Sequence, residues 1–276
     1  MHPLRRLRRL LGPRLAPGAR PPAPAAPAGP VELPQIGTPA TIVGGRSPRD
    51  GYQRGWGLQH AGLADRVAAH PLYRAAVEAS GGLSLLVEAK RMNLFLLLTG
   101  YGEALDARDV VEFGAYRGGN ALFMAHVLRA TAPGAKVYAL DTFAGMPAVD
   151  VARDLHGPGD FQDTSLSDLS ARRDALGLDN LVLVQGLFED TFPGLVAQGA
   201  RFGLAHIDCD IYSGAKYAVE AVWPRMAQGG YVVFDDADTS SCIGATEAAE
   251  DLMMARAIHS EQVWPHWVFR AHLSDG

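Results

Sequence analysis

Only two cysteines, Cys209 and Cys242, occur in the 276 residues. Neither belongs to a CxxC pair or to a regular Cys/His ligand spacing, which excludes a disulfide framework and a zinc module of ordinary spacing. Free thiols in a reducing compartment are the expectation, and with them a cytoplasmic location. No apolar run approaches the ~18 residues of a membrane span. Lysine is scarce, while Arg, Ala, Gly and Pro are abundant, a bias that genome composition alone explains. A surplus of positive charge is missing as well. Residues 1–50 hold eight Arg against one Glu and one Asp, but the remainder carries 17 basic and 28 acidic side chains. An acidic body argues against a nucleic-acid-binding surface. No internal repeat is apparent.

What is present falls into three stretches. Residues 1–50 form a basic leader with nine of the chain's 18 prolines between positions 16 and 50, a composition expected to be disordered. Leu4, Leu7, Leu11 and Leu15 share one helical stripe at its start, suited to loose contact with a membrane surface. The stretch lacks the continuous apolar centre of an export signal. Residues 51–105 carry a helical pattern from Gly62 to about Glu103, in which Arg91 and Asn93 flank the apolar run Phe95–Leu98 and are candidates to reach a ligand. Residues 106–276 alternate. Strands are expected at Val110–Phe113, Lys136–Leu140, Leu181–Gln185, Phe202–Ile207 and Tyr231–Phe234, with a last strand or hairpin over Val263–His272. Helices are expected at Asn120–Ala130, Ser165–Leu176, Thr191–Gln198, Ser213–Met226 and Ala245–Ile258. This alternation predicts an α/β fold, a doubly wound Rossmann-like sheet preceded by a helical segment. Gly229-Gly230 is read as the tight passage from helix into strand.

Two acidic runs close buried strands: His206-Ile207-Asp208-Cys209-Asp210 and Val233-Phe234-Asp235-Asp236. Doubled carboxylates at strand ends are costly to desolvate unless they are paired or bind a cation. In a parallel sheet the carboxyl ends face the ligand crevice. Four carboxylates meeting there suit Mg²⁺ or a similar hard divalent ion. Helix capping by Asp210, Asp235 or Asp236 is the plainer alternative. His206 is expected to be a core histidine, His156 a solvated loop histidine and Lys216 a surface lysine.

The run Val111-Glu112-Phe113-Gly114-Ala115-Tyr116-Arg117-Gly118-Gly119-Asn120 reads as strand, glycine turn and helix start. Such a turn lets backbone approach a ligand, and the helix amino end favours a carboxylate. A dinucleotide fingerprint needs glycine where Tyr116 stands, so a nicotinamide cofactor is disfavoured. Asp141, ending the next strand beside Thr142, is placed for ribose hydroxyls. Glu112 suits an ammonium group, and Gln185-Gly186-Leu187-Phe188 is placed to flank adenine. An acid for an amine, a turn for a carboxylate and an acid for a ribose together describe S-adenosylmethionine. The cofactor set is thus Glu112, Gly114, Tyr116, Gly119, Asp141, Thr142, Gln185, Gly186 and Phe188.

The runs VEFGAYRGGNA, YALDTFAGMP, DFQDTSLSDL, HIDCDIYSGAKYAVEAVWP and GGYVVFDDADTSSCIGA resemble the macrocin O-methyltransferase (TylF-type) family over about Gly81–Leu252. The resemblance implies a class I S-adenosylmethionine-dependent methyltransferase, acting with Mg²⁺ on a sugar hydroxyl of a small glycosidic acceptor. It implies metal ligands at Asp208, Asp235 and Asp236, a general base at Asp210, cofactor contacts at Glu112, Gly114 and Asp141, and a covering loop over Phe143–Asp163. The acceptor and any self-association of the chain are left open. A catechol-type aromatic diol is the alternative acceptor. A metal-dependent phosphoester hydrolase and a non-catalytic binding module are the readings from other classes.

Overall fold

The computed structural model describes residues 62–272. The expectations for the leader, residues 1–50, lie outside the described residues, as do residues 51–61. Among the described residues no helix is long and apolar enough to cross a membrane.

Three helices come first: α1 (Leu63–Ala69), α2 (Pro71–Ser80) and α3 (Glu88–Leu96), the last running into a π-helical turn at Leu97–Tyr101. The continuous helical pattern expected over this region is broken. Gly81 and Gly82 both take positive φ, 63° and 71°, a backbone that ends a helix. Residues 83–87 therefore leave α2 as extended coil before α3 begins.

The alternating region follows as β1 (Val110–Phe113), α4 (Gly119–Thr131), β2 (Val137–Asp141), α5 (Leu166–Ala175), β3 (Leu181–Gln185), α6 (Phe188–Ala197), β4 (Phe202–Ile207), α7 (Tyr212–Val222), β5 (Met226–Phe234), α8 (Ile243–Arg256) and β6 (Trp267–Arg270). One six-stranded sheet has the order β3-β2-β1-β4-β5-β6, parallel except for β6, which runs antiparallel to β5. Every residue of β1 and β4 is buried, in keeping with their unbroken apolar runs in a sheet covered on both faces. One face packs Tyr73, Leu94, Phe95, Phe123 and Leu169 from α2–α5. The other packs Phe192, Val219, Ala248 and Leu252 from α6–α8.

Expected and observed elements differ most around β5. The helix predicted to reach Met226 stops at Val222, where Trp223–Arg225 tightens into a 3₁₀ turn around Pro224. A proline removes a backbone donor and ends the helical ladder. Strand β5 thus begins five residues before the predicted Tyr231, and Gly229-Gly230 lies inside it. The pairing of β4 with β5 shifts register between Phe202 and Leu204, and Gly229 takes φ 70° within that irregularity. These glycines make a bulge, not a helix exit. Helix α6 also starts earlier than expected, at Phe188.

The strand order reverses between β1 and β4, and such a switch point opens a crevice at the carboxyl ends. There the two outgoing loops touch: Asp208 N donates to Phe113 O at 2.9 Å. Gly114 has φ 95°, and a Cβ on it would overlap the Asp208 carbonyl oxygen. Behind this crossing Phe113 meets Phe188 and Phe192 with ring centroids 5.3 Å apart in each case. Phe192→Ala, which empties a site 1% exposed, is expected to cost about 3–5 kcal/mol in chemical denaturation, with little change in the shape of the crevice.

Candidate active site

A cavity of about 340 Å³ opens at the switch point, large enough for a small-molecule ligand. Its lining joins the glycine turn, the ends of β2, β4 and β5, residues 83–87 and part of the loop 143–163.

On one side stands the glycine turn. Asp141 fixes it: Oδ2 accepts from Ala115 N (2.9 Å) and Tyr116 N (2.7 Å), and Oδ1 accepts from Phe143 N (2.7 Å). Oδ2 thereby has both lone-pair sites occupied, and Oδ1 keeps one beyond its bond from Phe143 N. Tyr116 sits at φ 49°, and its hydroxyl donates to Asp163 Oδ1 at 2.7 Å. Gly119 opens α4 so close to the coil that a Cβ would overlap the Leu83–Ser84 backbone. Thr142 lines the cavity and donates to Gly145 O at 2.7 Å. Glu112 is fully buried. Its Oε1 accepts from Asn120 Nδ2 (2.6 Å) and lies 3.1 Å from His206 Nδ1. Its Oε2 has no hydrogen-bond partner among the described residues, although Glu112 lines the cavity. A buried, unpaired carboxylate oxygen is an acceptor waiting for a donor from a ligand.

Of the expected adenine-flanking residues, Phe188 lines the cavity together with Leu187 and Glu189. Gln185 and Gly186 do not. Gln185 is exposed and its amide donates to Thr142 O at 3.3 Å, while Gly186 N donates to Asp141 O. Both fasten the end of β2 and the loop after it, with Gln185 paired in register beside Asp141.

Opposite lie the acids. Asp208, Asp235 and Asp236 each present a carboxylate oxygen within 4.8 Å of the others. Asp235 is the paired member. Its Oδ2 lies 2.9 Å from Lys90 Nζ, which also donates to Asp235 O at 2.5 Å, and its Oδ1 lies 3.4 Å from His206 Nε2. Burial opposes ionisation of Asp235, but the His206 hydrogen bond and the charges of His206 and Lys90 overcome it and hold its pKa below the usual carboxylate range. Burial also works against the charged form of His206, yet its bonds to Asp235 and Glu112 push it up to about 10. Asp236 is pushed up to about 8 by burial and then by Asp210 and Asp235, and its Oδ2 is buried without a partner among the described residues. Burial and the neighbouring acids raise Asp208 as well. The cluster therefore has more negative charge than the protein neutralises. Its all-oxygen donor set fits a hard divalent cation.

Asp210 faces the same cavity in a left-handed backbone, φ 62°, a strained conformation that recurs at functional positions. Burial raises its pKa against the opposing effects of Cys242 and His156. Cys242 Sγ donates to Asp210 Oδ1 at 3.3 Å, and His156 Nε2 lies 3.8 Å from the same oxygen. His156 is thus no solvated loop residue. His206 is a fully buried histidine as expected, and Lys216 pairs with Asp251 and Glu220 away from the cavity. The loop 143–163 covers the site through Met146, Pro147 and Phe161. It is anchored by Asp154, which accepts from Tyr212 N at 2.9 Å, and by Arg153, which pairs with Glu247 and stacks on Tyr212.

Arg91 and Asn93 do not line the cavity. Arg91 donates to Leu86 O, and buried Asn93 donates to Gln262 Oε1 at 2.7 Å. The residue of this helix that does reach the cavity is their neighbour Lys90, which the sequence reading missed. Its one visible signal was the rarity of lysine in the chain. Its partner Asp235 stands 145 residues away.

The sheet order, the switch-point crevice and the covering loop define a Rossmann-like class I methyltransferase fold. The O-methyltransferase NovP superposes with a TM-score of 0.60 at 21% identity, covering 77% of this chain and 94% of that one. The calicheamicin methyltransferase CalS11 superposes at 0.57 and 24% identity, covering 75% and 89%. The family model of the macrocin O-methyltransferases (TylF) matches residues 103–264, and the chain belongs to that family. A rhamnosyl-tetracenomycin C 4′-O-methyltransferase from Streptomyces olivaceus is 35% identical over 144 residues, 49% of this chain and 54% of that protein. The mycinamicin III 3″-O-methyltransferase of Micromonospora griseorubida is 28% identical over 155 residues, 52% and 60%. The chain thus spans little more than half the length of these curated relatives.

Lys90→Met removes one of the two buried cations that meet Asp235, leaving His206, and strips Oδ2 of its partner. It is expected to destabilise the metal-free protein by about 3 kcal/mol in chemical denaturation, with Lys90→Arg recovering part of the loss.

Proposed function

We propose that the protein is an S-adenosylmethionine-dependent O-methyltransferase that uses a divalent cation, Mg²⁺ or similar, and acts on a sugar hydroxyl of a glycosidic natural product. One observation carries this reading. A single cavity holds an unpaired buried carboxylate oxygen on Glu112 beside a glycine turn, and an under-neutralised aspartate cluster opposite. The names of the curated relatives, which methylate sugars on tetracenomycin and mycinamicin compounds, support the acceptor class. A phosphoester hydrolase would leave Glu112 and the turn without a task.

When bound, the cofactor supplies an electrophilic methyl group on a sulfonium and the cation a Lewis acid that orients and acidifies the acceptor hydroxyl. The residues divide the remaining work. Glu112 Oε2 accepts the cofactor ammonium, the backbone after Gly114 leaves room for its carboxylate, and Asp141 takes a ribose hydroxyl with the remaining lone pair of Oδ1. Leu187 and Phe188 flank the base. Asp208, Asp235 and Asp236 hold the cation, with Lys90 and His206 keeping Asp235 ionised and oriented. Asp210 takes the acceptor proton. Cys242 occupies Oδ1, which leaves Oδ2 for that proton, and burial makes the carboxylate a stronger base than one at the ordinary value of about 3.9. Met146, Pro147 and Phe161 exclude water from the transfer.

The test is a series of three variants read by turnover, cofactor calorimetry and metal binding. Asp208→Asn and Asp235→Asn are expected to abolish turnover while leaving cofactor affinity largely intact. Asp210→Asn is expected to slow the chemical step at least about 100-fold and to spare Mg²⁺ binding at the Asp208, Asp235 and Asp236 cluster. Near-normal turnover of either cluster variant in chelator removes the metal from the mechanism, and an unchanged rate in Asp210→Asn removes the base.

A further inference from the structure

Beside the all-oxygen cluster lies a second group of different chemistry. His156 Nε2, Asp210 Oδ1 and Cys242 Sγ converge from three separate elements: the covering loop, the turn after β4 and the residue that precedes α8. Their separations are 3.3 Å from sulfur to carboxylate, 3.7 Å from sulfur to imidazole and 3.8 Å from imidazole to carboxylate. Zinc bonds of about 2.3 Å to sulfur and about 2.0–2.1 Å to nitrogen and oxygen, in a tetrahedral arrangement, set ligand atoms roughly 3.3–3.6 Å apart. The three atoms already lie within about half an ångström of that triangle.

Two further features match a zinc site. The other imidazole nitrogen, His156 Nδ1, lies 3.3 Å from Asp160 Oδ2, and Gly157 N donates to that same oxygen at 3.0 Å. A carboxylate behind the ligating histidine fixes the ring so that Nε2 points at the metal. The charges also balance, because one thiolate and one carboxylate cancel a divalent ion. An all-oxygen site prefers Mg²⁺, whereas one imidazole with one thiolate selects a softer ion.

We infer that His156, Asp210 and Cys242 form a second metal site, distinct from the aspartate cluster, that takes Zn²⁺ or a similar borderline-soft divalent ion, with the fourth position left to water. Binding releases the Cys242 thiol proton to solvent and replaces its hydrogen bond to Asp210 by two metal bonds. The ion ties the covering loop to the start of α8 and occupies Oδ1 of Asp210. The first effect holds the loop down over the cavity, and the second lowers the basicity of Asp210. The site does not depend on methyl transfer, so its test is separable from that of the proposed function.

The experiment titrates the full chain with Zn²⁺ by calorimetry in saturating Mg²⁺, and with Co²⁺ by absorption. One Zn²⁺ per chain and a thiolate-to-Co²⁺ charge-transfer band are expected. Asp160→Asn should weaken Zn²⁺ binding by about tenfold. Cys242→Ser and His156→Gln should each weaken it more than that, and Cys242→Ser should lose the band, with circular dichroism showing all three variants folded. A Co²⁺ complex of the unaltered chain without a thiolate band overturns the assignment, whatever the variants do. So does Zn²⁺ affinity that is the same in Cys242→Ser and His156→Gln as in the parent.

Discussion

Negative charge concentrated where strands end is the constraint around which this molecule is built. Glu112, Asp208, Asp210, Asp235 and Asp236 all reach one cavity, and Lys90 and His206 are the cations that meet them from within the protein. Neither cation spans the cluster. Lys90 is committed to Asp235 and approaches Asp238, while His206 bridges Glu112 and Asp235. The residual charge falls on Asp208 and Asp236, whose ionisation is correspondingly disfavoured. On the proposed function this deficit is what a cation would offset, since it would meet carboxylates that are already desolvated and close together.

The sheet supplies the geometry for this. Parallel neighbours β1, β4 and β5 end at the same level, so Glu112, His206 and Val233 lie side by side in register and the aspartates follow two to four residues later. The close crossing of Gly114 and Asp208 fuses the two halves: the glycine turn is pressed against the backbone that carries one of the clustered acids. A shift of either loop is therefore felt by both. On the proposed function this coupling would serve to bring donor and acceptor into line.

Much of the site was legible because its determinants are local. Doubled acids after apolar runs, a glycine turn after a strand and an acid ending the next strand are each visible within a dozen residues. All the residues assigned to the metal half reach the cavity, and the turn residues Glu112, Gly114, Tyr116 and Gly119 do so too. The failures are non-local or concern termination. Lys90 acquires meaning only through a partner across the chain, and His156 only through the folding of its loop over Asp210 and Cys242. The end of β3 at Gln185 was read correctly, but nothing local shows that Gln185 and Gly186 turn to the loop after β2 instead of the cavity. Residues 83–87 read as helical because their apolar positions continue those of the run to Leu98, and Gly81-Gly82 outweighed that pattern.

The extended stretch 83–87 and Lys90 precede residue 103, where the family match begins, yet they wall the same cavity as the acids. The cavity wall is therefore drawn from both sides of that boundary, and the earlier segment can vary its side chains without altering the strand ends that carry the acids. Lys90 ties the two together, so any exchange of the earlier segment must carry an ammonium group at its position or leave Asp235 without that partner.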